Sequence, residues 1–194
     1  MLVQDRMTKN ISSCLVDTNL VEAARQLWDV DCGSLPAVDG RGRVLGMITD
    51  RDICMAAMTT GKPLAMLRAS MAMAKDVVSA RPNETVHEAE MLMRARSVRR
   101  LPVVDDQGRL VGILSCNDLV EWVDCGKAAG ATERDACHLL RTLATIGRMR
   151  SAKVAKGVAH AGAEGTLPGK YADLPRTPAA IPVLHEVRPS SLNT

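Results

Sequence analysis

The sequence predicts an α/β (α+β) fold: two copies of one small unit related by a pseudo-two-fold, then a C-terminal helix and a disordered tail. Three observations carry that prediction. The stretch Gly46-Met47-Ile48-Thr49-Asp50-Arg51-Asp52-Ile53 returns 66 residues later as Gly112-Ile113-Leu114-Ser115-Cys116-Asn117-Asp118-Leu119. The same offset holds without a gap over about fifty residues, equating Met7 with Met73, Leu20 with Val86, Leu27 with Met93, Pro36 with Pro102, Asp39 with Asp105 and Arg43 with Arg109. Within each copy the apolar spacing changes from helical to extended and back, in the order helix, strand, strand, helix. A repeat of this length is a supersecondary unit that is incomplete alone. A small sheet with helices on one face leaves the other face bare, so the two units are expected to dock on those faces and leave a cleft on each side.

Residues 1–60 are assigned to the first unit, with 1–13 as a short lead-in. Asp17-Thr18-Asn19 offers a helix cap, and Leu20, Ala23, Ala24 and Leu27 follow at helical spacing. Leu35-Pro36-Ala37-Val38 is a short strand with proline near its start, where a missing N–H is tolerated. Asp39-Gly40-Arg41-Gly42 is a hairpin turn, Arg43 to Ile48 the return strand, and Asp50 to about Met58 the next helix. Residues 61–72 connect the units. The second unit, 73–124, repeats the order, with Thr85-x-x-Glu88 as a capping box, a strand over Leu101–Val104, a turn at Asp105–Gly108, a strand over Arg109–Leu114 and a helix from Cys116. Within 125–150, Thr132 to about Met149 reads as one helix, striped by Leu139, Leu140, Leu143 and Ile146. From 151 to 194 Gly, Pro and Ala dominate without a period, which reads as mostly disordered.

Composition narrows the function classes. Hydrophobic residues make up 46%, enough for a core, but with two Trp, one Tyr and no Phe that core rests on aliphatic side chains and eleven Met. A flat ligand would be gripped by aliphatic groups, not stacked on rings. No apolar run approaches the roughly 18–20 residues that cross a bilayer, and the first residues lack a signal-peptide core; no membrane partner and a cytoplasmic location are expected. Six cysteines without a Cys-x-x-Cys pair read as free thiols in a reducing compartment. Residues 1–124 hold 15 Lys+Arg against 17 Asp+Glu, and 125–194 hold 10 against 5, so the basic balance belongs to the tail. Four scattered His residues form no recognisable catalytic or metal set, so no enzyme activity, catalytic cofactor or metal is expected.

The doubled Leu-Pro-x-Val-Asp, hairpin, Gly-Met-Ile-Thr-Asp-Arg-Asp-Ile pattern and its partner Leu101-Pro102-Val103-Val104-Asp105 with Gly112-Ile113-Leu114-Ser115-x-x-Asp118-Leu119 resemble the cystathionine-beta-synthase (CBS) domain pair over about residues 3–124. The resemblance implies two β-α-β-β-α repeats forming a Bateman module that senses an adenosine-bearing ligand and often pairs into a disc-like homodimer. AMP, ADP or ATP leads, with NAD and S-adenosylmethionine as further candidates. It places Asp52 and Asp118 on the ribose, where one carboxylate accepts from both hydroxyls. Thr49 and Ser115 stand at helix starts whose free N–H groups favour phosphate. Arg51, Arg99 and Arg100 are the candidate phosphate cations. Ile11, Ser12, Val77 and Val78 border the base, with Leu35, Pro36, Leu101 and Pro102 closing the pocket. Because Gly33-Ser34 stand where the second repeat has Arg99-Arg100, the two clefts are expected to differ, and the one receiving the arginines to bind better.

The same residues have plainer readings. Thr49-x-x-Asp52 and Ser115-x-x-Asp118 are also ordinary capping boxes, Met47, Met91 and Met93 core filler, and Asp39 and Asp105-Asp106 turn residues. The expectation is a non-enzymatic regulatory module that signals to an unknown effector protein by conformational change. Its rivals are a ligand-free structural or dimerisation module, and weak nucleic-acid contact through the basic tail, against which the absence of interleaved aromatics argues.

Overall fold

The 66-residue offset is carried into three dimensions element by element. The structure, a computed structural model, describes residues 1–125 and 131–161, with side chains through 148. The chain divides into two compact units, Met1–Ser151 and Ala152–Thr194, and both repeats lie in the first. The first repeat holds β1 (Cys14–Leu15), α1 (Leu20–Asp29), β2 (Ser34–Val38), β3 (Val44–Thr49) and α2 (Asp50–Thr60). A short helix, α3 (Ala69–Ala72), comes next. The second repeat holds α4 (Val86–Arg96), β4 (Arg100–Val104), β5 (Leu110–Ser115) and α5 (Cys116–Asp124). In place of a first strand it has a single parallel bridge, Ala80 to Val103, the counterpart of Cys14 to Ala37.

Local chemistry explains most element ends. Asn19 caps α1 by accepting from the Glu22 N–H at 3.0 Å, and Thr85 does the same for α4 from Glu88. Pro36 is tolerated in the middle strand of β1-β2-β3 because β1 reaches only Ala37 and Val38, leaving the proline nitrogen beyond the paired stretch. Both hairpins carry a register shift at the same place, Ala37/Val38 and Val103/Val104.

The lead-in and the stretch that opens the second unit are not spacers. Each crosses to the opposite repeat. Met7 and Thr8 lie on β5, where Thr8 and Ile113 exchange backbone hydrogen bonds of 2.9 and 3.0 Å. Ala74 and Met47 make the equivalent exchange, at 2.9 and 3.0 Å, on β3. Val3 is fully buried in the core of the second repeat with Ala89, Met93, Leu101 and Leu114. Leu67 and Ala69 are fully buried in the core of the first, with Leu20, Leu35 and Ile48. The two hairpin turns meet at the pseudo-two-fold: Val44 N–H donates to the Gly108 carbonyl at 3.1 Å, and Leu110 N–H to the Gly42 carbonyl at 3.0 Å. The repeats are therefore interlocked by exchanged segments as well as apposed.

Helix α6 spans Glu133–Ala161, longer than the sequence spacing indicates. The expected stop near Met149 is overrun because 151–161 is rich in Ala and Lys, good helix formers, and contains no proline. Leu139, Thr142 and Ile146 are buried, and the two apolar members of that stripe join the second repeat's core. The disorder expected of the tail concerns, beyond Ala161, residues outside those described.

Candidate functional site

Both Thr/Ser-x-x-Asp motifs fold as complete capping boxes. Ser115 N–H and hydroxyl both donate to Asp118 Oδ2 at 2.6 Å, while the Asp118 N–H returns a bond to Ser115 Oγ at 3.3 Å. Thr49 and Asp52 repeat this at 2.9, 2.7 and 3.2 Å. The plain reading of these motifs therefore holds, and it still leaves carboxylate lone pairs available: an ionised carboxylate has about four acceptor positions, and among the described residues Asp118 Oδ1 takes only a long 3.3 Å bond from the Thr8 hydroxyl.

A cleft of about 240 Å³ opens where the first repeat meets the start of α5. Ile11, Ser12, Leu35 and Pro36 form one side, and Ser115 and Asp118, with Arg100 and Ile113, the other. Of its lining residues only Arg100 and Asp118 are charged. Arg100 makes no ion pair among the described residues, and its Nη1 lies 3.8 Å from where a side chain on Gly33 would begin. Its guanidinium thus reaches across to the first repeat. Ser34, only 7% exposed, lines the same cleft, and its hydroxyl is buried without a hydrogen-bond partner. A buried hydroxyl in that condition costs about 1–3 kcal/mol, so it favours an incoming polar group. Chemically, the cleft offers an aliphatic slot, an acceptor for a diol, and a cation with helix-start N–H groups for an anion.

The pseudo-symmetric residues Thr49, Asp52, Val77, Val78, Leu101 and Pro102 do not line this cleft. Their side is built differently. Asn10 and Val30, which border the open cleft, are replaced there by Asp76 and Arg96, which pair at 3.9 Å. Arg51, on the first turn of α2, and Arg99 are exposed and also lie outside the cleft lining. Thr8, Asn10, Val30, Cys32, Ser34 and Ile113 line it without having been singled out from sequence. Thr8 could have been found: it follows Met7, one of the residues that carries the 66-residue register. Ser34 could not, because its significance is an unmet hydrogen bond that exists only when the chain is folded.

The CBS domain family model matches residues 3–59 and 69–124. The CBS domain-containing protein YhcV of Bacillus subtilis is 32% identical over 136 residues, 70% of this chain and 95% of that protein. Among solved structures, the CBS domain pair of protein MJ0100, in complex with 5′-methylthioadenosine and S-adenosyl-L-methionine, superposes with a TM-score of 0.57 at 30% identity, covering 66% of this chain and 98% of that one. CBSX2, solved with AMP, shares the fold with a TM-score of 0.57 at 24% identity over 65% of this chain and 98% of its own.

Proposed function

The chain belongs to the CBS-domain family, with two domains in tandem, and from that premise we propose that it is a regulatory protein binding an adenosine-bearing ligand in the cleft between Pro36 and Asp118. The observation that carries this is the meeting, in one cleft, of three groups: a Ser34 hydroxyl without a hydrogen-bond partner, an Arg100 without an ion pair among the described residues, and a carboxylate that retains acceptor capacity. The base lies among Ile11, Ser12, Leu35 and Pro36. The ribose hydroxyls donate to Asp118. A 5′ phosphate lies toward Arg100, Ser115 and the start of α5, which selects AMP, ADP or ATP over an uncharged 5′ group. The similarity to a pair holding S-adenosyl-L-methionine supports an adenosine ligand in general. Thr49, Asp52, Val77, Val78, Leu101 and Pro102, with Arg51 at the helix start, form a weaker second site.

Such a ligand acts by binding one relative arrangement of the repeats better than another, and a separate effector protein reads the shift. The chain works as a homodimer through the outer face of α1 and α2. Trp28 there is 85% exposed, beside a cleft of about 640 Å³ bordered by Ala24, Leu27 and Ile53. No described helix is long and apolar enough to cross a membrane, and the six free thiols suit the cytoplasm.

Isothermal calorimetry of the full chain with AMP, ADP, ATP, NAD and S-adenosylmethionine tests the reading. At least one adenosine ligand binds, Asp118→Ala weakens it about 10- to 100-fold, and Asp52→Ala changes it less. If none of the five binds, the chain is a ligand-free dimerisation module instead; if Asp118→Ala costs only the ~1 kcal/mol of a lost cap with affinity intact, the ligand does not rest on Asp118.

A further inference from the structure

Helix α6 meets the second repeat through a polar contact that its apolar packing does not require. His87 and Glu90 stand three residues apart on α4, so their side chains share a face. His138 approaches from α6, its ring edge-on to that of His87 with centroids 4.8 Å apart. One ligating atom from each of His87, Glu90 and His138 lies within 4.8 Å of the others. Glu90 is only 6% exposed, and its carboxylate has no Lys or Arg partner among the described residues. It accepts a 2.7 Å bond from the fully buried Thr142 hydroxyl and lies 3.8 Å from His87 Nδ1. His138 Nδ1 is buried with no hydrogen-bond partner. A buried carboxylate calls for a cation, and an orphaned imidazole nitrogen for something to coordinate or bond.

We propose that His87, Glu90 and His138 form a three-ligand site for a divalent cation of the zinc class, which fastens α6 to the second repeat. Two imidazoles and one carboxylate are a borderline-hard set suited to zinc and its neighbours. Metal bonds of about 2.0–2.1 Å put ligand atoms about 3.3 Å apart in a tetrahedron, so small rotamer changes close the set. Thr142 orients the carboxylate from behind, the usual role of an outer-shell partner. An opening of about 500 Å³ lined by Glu133, Arg134, Cys137 and Arg141 reaches His138 from solvent, and a water would complete the four-coordinate set. His138 lies outside the residues matched by the family model, so this site belongs to this chain's C-terminal helix and stands apart from the nucleotide reading.

The test uses the metal-free full chain with Zn²⁺ alone, followed by calorimetry, thermal melting and, with Co²⁺, visible absorption. One Zn²⁺ binds per chain, the melting temperature rises, and Co²⁺ gives the intense visible bands of a four-coordinate site. His138→Ala lowers the affinity at least about tenfold and abolishes the bands, as does Glu90→Gln, which keeps volume and hydrogen bonding should the histidine variant fold poorly. Cys137→Ser leaves both signals unchanged. Wild-type binding no stronger than that of His138→Ala, or binding lost in Cys137→Ser and kept in His138→Ala, overturns the proposal.

Discussion

Asp39 and Asp105 close the two hairpins with the same set of bonds. In each, one carboxylate oxygen accepts two backbone N–H groups at 2.8–2.9 Å, and the other accepts the Nε of Arg43 or Arg109 at 2.8 Å. The backbone N–H of the arginine, then its guanidinium, holds each carboxyl below the ordinary carboxylate range. A depressed folded pKa means that the contribution is full above the unfolded value, near pH 4, and lost as pH falls through the folded one. Urea titrations from about pH 5 down to pH 2.5 therefore show a steeper acid loss for the wild type than for Asp39→Asn/Asp105→Asn; superimposable acid limbs would refute it. These turns were legible in sequence because every partner lies within four residues. Asp118 was legible for the same reason, as the end of a Ser-x-x-Asp box. Ser34 and Thr8 were not, since what matters about them is a distant neighbour.

At the scale of elements, the informative pair is Gly46 and Gly112. In sequence they are breaks in otherwise apolar strands. In the fold they are where the exchanged segments press on the sheets. A Cβ on Gly46 would lie 2.7 Å from Met73 Cγ and 3.1 Å from the Ala74 carbonyl; on Gly112 it would lie 2.9 Å from Met7 Cγ and 3.2 Å from the Thr8 carbonyl. The methionine end can swing aside, but the carbonyl belongs to the bridging segment and cannot. Gly112→Ala is expected to destabilise the chain by about 1–3 kcal/mol. Combining it with Met7→Ala should be less costly than the sum of the two, because both act on one contact. Strict additivity in equilibrium denaturation would mean that the segment does not sit on β5. The equivalence of Met7 and Met73 was visible in the repeat, whereas their crossing to the other unit was not. Sequence spacing does not say which of two equal sheets a flanking segment will cover.

For the whole molecule, two cores joined by exchanged segments leave one apolar face of the first repeat uncovered by the described residues. Trp28, 85% exposed, belongs to it, beside Ala24, Leu27 and Ile53, and full burial of a large apolar side chain contributes about 1.5–3 kcal/mol. Trp28→Glu is expected to convert a dimer into a monomer in sedimentation equilibrium without lowering the monomer's melting cooperativity; a monomeric wild type, or a dimer that survives the substitution, would refute pairing through this face. The repeat, its element order, its caps and its hairpin turns were determined by the sequence itself, because each rests on contacts a few residues long or on a pattern written twice. The open cleft, the Asp76–Arg96 pair on its pseudo-symmetric partner and the meeting of His87 and Glu90 with His138 were decided only by tertiary structure. Each depends on side chains tens of residues apart that come within bonding distance only after the segments have crossed and α6 has docked.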